Sequence, residues 1–172
     1  MLAGEVIRHD TFAPLHRDRL TNCKKPFVAN LRDRDKRELD EIGVPRDVVA
    51  DVLVRGHVVG AIFPHQWMPA AVVAFHPITA RCVSASLLAT DDWSKVARRV
   101  ACWGVRVAKP KLLSMGFTRA ECRVMDGHDD AIRLLSHLGF VRECVLPNYG
   151  ASGVTFHQFA WRAENHVRSL SA

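Results

Sequence analysis

The sequence predicts a single α/β domain in which a mixed sheet of about six strands is flanked by helices. Three observations carry that prediction. Short β-branched runs alternate with helical patterns from residue 57 onward, one amphipathic stretch over 92–114 is long enough for a full helix, and no Gly/Ser/Pro linker divides the chain. A length of 172 residues suits one well-filled core.

The first patterned segment runs from Lys25 to Glu41. Phe27, Val28, Leu31, Leu39 and Ile42 keep helical spacing there, and Gly43 ends it. Within it, Leu31-Arg-Asp-Arg-Asp-Lys-Arg-Glu-Leu39 alternates in sign, which predicts a solvated helix face laced with i,i+4 pairs. Pro45 opens a short amphipathic helix on Val48, Val49, Val52 and Leu53 that stops near Gly56. Strands over 57–63 and 70–76 form a hairpin about a Pro-flanked turn, and a third strand covers 82–88.

Thr90-Asp91-Asp92 then supplies an N-cap and an acidic first turn for the long helix. Val96, Val100, Trp103, Val107 and Leu112 mark its inward side, and Pro110 predicts a kink or the end of the helix's first part. A strand over 118–124, a helix over 128–138 closed by Gly139, and strands over 140–146 and 154–162 complete the order. The segment from Arg8 to Lys25 carries Arg8, Arg17, Arg19, Lys24 and Lys25 with too few apolar side chains to fold alone, and residues 1–24 form the arm. They are expected as an extended basic arm, before a domain at 25–163 and a tail at 164–172.

Composition narrows the chemistry. The net charge of +6 favours acidic partners, with basic residues concentrated at Arg17–Arg37 and Arg98–Lys111. Nucleic acid is compatible with that charge, but no motif supports it and aromatics do not interleave the basic residues. The longest apolar run, Pro69 to Phe75, is strand-sized, so no membrane helix is expected. Five cysteines at wide spacing form no C-x-x-C pair, and the histidines show no metal-ligand spacing, so no metal is expected. Ser84 and Ser86 lack a G-x-S-x-G elbow.

The stretch Ala120-Glu-Cys-Arg-Val-Met-Asp-Gly-His-Asp-Asp-Ala-Ile-Arg-Leu-Leu-Ser-His-Leu-Gly-Phe140 resembles the strand–helix–strand of GNAT (GCN5-related) N-acetyltransferases. Ala131, Leu134, Gly139 and Phe140 match that family's pattern in register, and the flanking elements fall in its order. More narrowly, the chain is similar to small GNAT-like proteins of tailed bacteriophages, some of them internal virion proteins of short-tailed phages. The residues behind this are Asn30–Leu39, Arg119–Arg123, Gly127–Ala131 and Phe156–Trp161.

The resemblance implies a GNAT-like fold and an acetyl-CoA site whose pyrophosphate sits on a Gly-rich loop entering the long helix. The corresponding loop here, Ala89-Thr-Asp-Asp-Trp-Ser-Lys-Val96, has no glycine and two carboxylates. The family's acid tyrosine corresponds to Leu135 and its asparagine to His128. A degenerate site is therefore expected, with no catalytic residue and no cofactor. Should acetyl-CoA bind, Trp93, Ser94, Lys95 and His128 are its expected contacts, Tyr149 is a candidate proton donor, and Glu121 or His76 a candidate base. The resemblance implies a virion protein, present in host cytoplasm before assembly, with other virion proteins as partners. The alternative is an active acetyl-CoA-dependent N-acetyltransferase. The expected docking residues are Trp67 and Met68 on the Pro-flanked turn, with Arg8, Arg17, Arg19, Lys24 and Lys25.

Overall fold

A computed structural model describes residues 17–63 and 68–163, with side chains from residue 21 onward. The elements are α1 (Arg17–Ala29), α2 (Asp33–Glu41), α3 (Arg46–Arg55), β1 (Val58–Ile62), β2 (Ala71–Pro77), β3 (Cys82–Ala89), α4 (Trp93–Trp103), a π turn (Gly104–Ala108), α5 (Lys109–Ser114), β4 (Arg119–Met125), α6 (Asp129–His137), β5 (Val141–Leu146) and β6 (Phe156–Arg162). All six expected strands are present within two residues of their predicted ends. Two expectations fail at the start of the chain. Residues 17–24, expected in extended form, are the first turns of α1. The segment 25–41 breaks at Asn30–Arg32, where Leu31 forms a β-bridge with Thr90. Residues 1–16, which include Arg8, lie outside the described residues, as does Trp67.

One sheet runs in the order β1-β2-β3-β4-β6-β5. Every pairing is antiparallel except β3 with β4, which run parallel because α4 and α5 carry the chain back between them. That parallel ladder covers only Cys82↔Arg119, Val83↔Ala120 and Ser84↔Glu121. Beyond Ser84 and Glu121 the two strands run on to Ala89 and Met125 without pairing to each other, each held by its other neighbour, and this leaves a cleft at their C-terminal ends.

Alternation along the strands divides the core into two layers. On one face Val73, Phe75, Val83, Ala120, Val124, Phe159 and Trp161 pack under α4, α5 and α6. On the other Ala61, Val72, Ala74 and Leu88 meet Phe27, Val28, Leu31, Leu39, Val49 and Leu53 of the first three helices. Burying each large apolar side chain stabilises the fold by about 1.5–3 kcal/mol.

The long helix is continuous but not uniform. Pro110 has no N–H and its ring crowds the carbonyl of residue 106 in a regular α-helix. The chain answers with the π turn, in which Lys109 N–H bonds to Gly104 O, five residues back. The extra residue shifts the inward series from Val96, Val100 and Trp103 to Ala108 and Leu112, so Val107, expected inside, is 48% exposed. Lys109 reaches back from the same turn. Its Nζ donates to Leu138 O at the end of α6 and lies 5.2 Å from the Trp161 ring, and burial pushes it down to about 8.

Three substitutions check this packing. Leu112→Ala should destabilise the domain by about 2–5 kcal/mol while Val107→Ala changes it by less than about 0.5 kcal/mol, read from urea melts. A Cβ on Gly60 would fall 2.4 Å from the Trp103 ring. Gly60→Ala should therefore cost about 1–3 kcal/mol by overpacking.

Candidate functional site

In α/β folds the crevice outside the carboxyl ends of parallel strands, at the switch point of strand order, is where ligands bind. Here that crevice lies beyond Ala89 and Met125, and the N-termini of α4 and α6 both open beside it. Helix N-termini with orphan N–H groups attract anions. What stands in the crevice decides its chemistry, and much of it comes from α2.

Leu31, Asp35 and Leu39 follow one another at four-residue spacing and all three are buried, with Asp35 only 2% exposed. Asp35 Oδ2 accepts the Ala89 N–H at 2.6 Å, on the strand edge where the β3–β4 ladder has ended. Its other oxygen accepts from Arg32 Nε at 2.8 Å. Arg32, also buried, closes the same edge with its backbone, whose N–H bonds to Ala89 O at 3.0 Å. The guanidinium lies 5.0 Å above the Trp93 ring at the head of α4 and 4.0 Å from Asp130 on α6. It also donates from Nη2 to His128 Nε2 at 3.1 Å. A guanidinium can only donate, so His128 Nε2 accepts and its Nδ1–H donates to Glu38 Oε2 at 2.8 Å.

Glu41 continues the series. Its carboxylate accepts from Ser152 N–H and Oγ at 2.9 and 2.6 Å, and its carbonyl from Ala151 N–H. Asp35, Glu38 and Glu41, three residues apart, thus bolt α2 to β3, to the head of α6 and to the β5–β6 loop in turn. Burial raises the Asp35 carboxyl above its ordinary range, opposed by Arg32, the Ala89 N–H and His128. The Ser152 bonds lower that of Glu41. This corrects the reading of Leu31–Leu39 as a solvated face, since Arg32 and Asp35 are core residues. The signal was available as an Asp midway along an inward i, i+4, i+8 stripe.

The two helix starts carry their own anions. Asp129 and Asp130 occupy the first turn of α6, and Asp91 and Asp92 precede α4. The N-cap expected ahead of α4 is present at Thr90, whose Oγ1 accepts the Asp92 N–H at 3.3 Å, whereas neither Asp92 nor His128 caps its helix with its own side chain. Asp92 instead pairs with Lys95 at 2.6 Å, and Thr90 O accepts the Trp93 N–H. A diphosphate brought here would meet carboxylates, each costing about 1 kcal/mol at 4 Å even in bulk water.

Of the expected cofactor contacts, Trp93 is buried under Arg32, Ser94 is exposed, Lys95 is held by Asp92 and His128 is locked between Arg32 and Glu38. Leu135 packs against the core beneath α6. Tyr149 packs its ring at a tilt against Phe156 with Arg123 over its ring, on the opposite face of the sheet from Leu135, and cannot replace a donor there. His76 pairs with Ser84 in register, at the far end of β3 from the cleft. Burial lowers its imidazole, with His57 adding to the effect. Glu121 is engaged by Arg119 at 2.6 Å. The residues at this cleft do not fit acetyl-CoA.

Among the docking residues, Lys24 pairs with Asp51 at 2.5 Å, Lys25 is exposed and Met68 is half-buried; the side chains of Arg17 and Arg19 are not described. Among the described residues no cluster of His, Cys, Asp and Glu has metal-binding geometry and no helix is long and apolar enough to cross a membrane. Cys82, Cys102, Cys122 and Cys144 are free thiols, and burial pushes Cys122 up to about 12.

With this geometry in place, solved structures supply the comparison. An aminoglycoside 6'-acetyltransferase type Ii superposes with a TM-score of 0.66 at 15% identity, covering 88% of this chain and 96% of that one. Ard1 from Thermoplasma volcanium gives 0.64 at 14%, covering 88% and 96%. An acetyltransferase of the GNAT family from Bacillus anthracis gives 0.60 at 11%, covering 84% and 91%. The fold is that of the GNAT acetyltransferases. At such identities the likeness extends to fold alone. No protein-family profile matches the sequence, and no curated protein is similar to it.

Two measurements check the site. Arg32→Ala and Asp35→Asn should each cost about 3–5 kcal/mol by leaving the other charge buried without its nearest partner. The double variant should cost less than the sum, because the pair is coupled. On the open sheet face, Arg119 and Arg162 hold Glu143 down to about 2. A carboxylate with a depressed folded pKa stabilises above its unfolded value and loses that as pH falls through the folded one. Glu143→Gln should therefore flatten the loss of stability between about pH 4.5 and pH 2, read from thermal melts.

Proposed function

We propose that this chain is a GNAT-fold protein that does not use acetyl-CoA and acts through contacts with other proteins, as a component of a bacteriophage particle. The observation that carries the first half is the Asp35 carboxylate on the Ala89 amide, with Arg32, His128 and Glu38 filling the mouth between the two helix starts. Opening that mouth exposes a buried ion pair whose partners are all within the chain. The particle half is supported by the similarity of Asn30–Leu39, Gly127–Ala131 and Phe156–Trp161 to GNAT-like proteins of tailed phages. Lys25 and Met68 are the described residues available for docking.

The second reading is an N-acetyltransferase. Solved relatives of the fold favour it, among them a putative acetyltransferase from Salmonella typhimurium determined with its cofactor acetyl-CoA (TM-score 0.63, 12% identity, covering 88% and 91%). That reading requires α2 to withdraw from Ala89 and His128 when the cofactor arrives.

Isothermal titration separates the two. On the first reading, acetyl-CoA at up to about 1 mM, roughly the weak limit of −4 kcal/mol, produces no saturable heat. Saturable micromolar binding that improves on Asp35→Asn establishes the second. The particle half is checked by mass spectrometry of purified virions of the encoding virus, where absence of the chain sinks it.

A further inference from the structure

We propose that the solvent face of the α4–α5 helix binds the phosphate backbone of duplex nucleic acid. From Trp93 to Ala120 the chain contains no Asp or Glu, yet it carries Lys95, Arg98, Arg99, Arg106, Lys109, Lys111 and Arg119. Lys95 is neutralised by Asp92, Lys109 is buried against Leu138, and Arg119 is bound to Glu121 and Glu143. Arg98, Arg106 and Lys111 are exposed and Arg99 is half-buried. None of the four makes an ion pair with the described residues, whereas on the other helices Lys24, Lys36, Arg46 and Arg133 do, and the unbridged Lys25, Arg34, Arg37 and Arg55 each lie in the field of a carboxylate, Asp51, Asp130 or Glu41.

The π turn gathers these charges. In an unbroken α-helix, at about 100° per residue, the four would spread over an arc of roughly 220°. The additional residue in the turn Gly104–Ala108 rotates the second half of the helix, so that all four lie within an arc of roughly 130°. They span about 20 Å along the axis at 1.5 Å per residue. Four like charges aligned without counter-charges repel one another and oppose folding. A polyanion removes that repulsion.

The chemistry of the face selects among polyanions. A membrane-surface helix buries its apolar side in lipid, but here that side is already committed to the core through Val96, Val100, Ala108 and Leu112. Single strands are held by stacking on aromatics, and both tryptophans of this helix, Trp93 and Trp103, are buried. What is left is a row of cations without stacking groups, which suits sequence-independent contact with duplex phosphates.

Fluorescence anisotropy on a labelled mixed-sequence duplex of about 20 base pairs tests this, with KCl varied from about 50 to 200 mM. Binding is expected in the micromolar range at the lower salt. The four contacts predict a log–log salt slope more negative by roughly 3–4 than in Arg98→Gln/Arg99→Gln/Arg106→Gln/Lys111→Gln. That variant should retain the wild-type circular dichroism and lose about tenfold or more in affinity. A variant of equal charge, Arg34→Gln/Arg37→Gln/Arg46→Gln/Arg55→Gln, should retain most of the binding. The proposal is overturned by no binding at the lower salt, by equal losses in the two variants, or by equal affinity for polyglutamate or phosphatidylserine vesicles. None of these results bears on the acetyl-CoA titration, which reads the cleft.

Discussion

The carboxylate of Asp35 is the contact on which the closed form of this molecule depends. β3 and β4 part company after three pairs, and a parted parallel ladder leaves backbone groups on a buried edge. Such groups must be met or they cost about as much as a lost hydrogen bond. Asp35 meets the Ala89 amide, and Arg32 meets the Ala89 carbonyl with its own N–H while neutralising Asp35 with its side chain. A buried pair of this kind is weak evidence for net stability, but removal of either partner is costly. Its consequence is geometrical. α2 is held across the cleft, His128 is turned toward Glu38, and the head of α4 lies under a guanidinium.

The long helix shows a second constraint with wide effects. One proline makes the regular i→i−4 ladder unfavourable, one π turn absorbs it, and the extra residue re-phases everything that follows. Ala108 and Leu112 face the core where Val107 and Lys111 would have competed for it. The same rotation sorts the helix into an apolar side and a basic side.

A shared scaffold and a different site are compatible, because function resides in the groups grafted onto a fold. The overall fold is shared with solved GNAT acetyltransferases. The groups at the cleft set its electrostatics. Helix N-termini that elsewhere suit a phosphate here stand beside Asp91, Asp92, Asp129 and Asp130.

The strands, the helix closed by Gly139 and the missing glycines at Ala89–Val96 were legible in the sequence, because period-two alternation, turn residues and loop composition are local properties. The Gly139 φ of 69° and the Phe140 N–H bond back to Leu135 O follow from the residue type at that position alone. The roles of Arg32, Asp35, Glu38 and Glu41 were not legible, although their positions were in view. A charged run alternating in sign looks solvated until the partners 54, 90 and 111 residues away are known. Val107 was misplaced for a related reason, since helical phase is assigned by assuming an unbroken ladder. Local pattern determines which elements form. Which charges are buried, and which face a helix turns inward, depends on non-local hydrogen bonds and packing that exist only once the sheet has brought distant segments together.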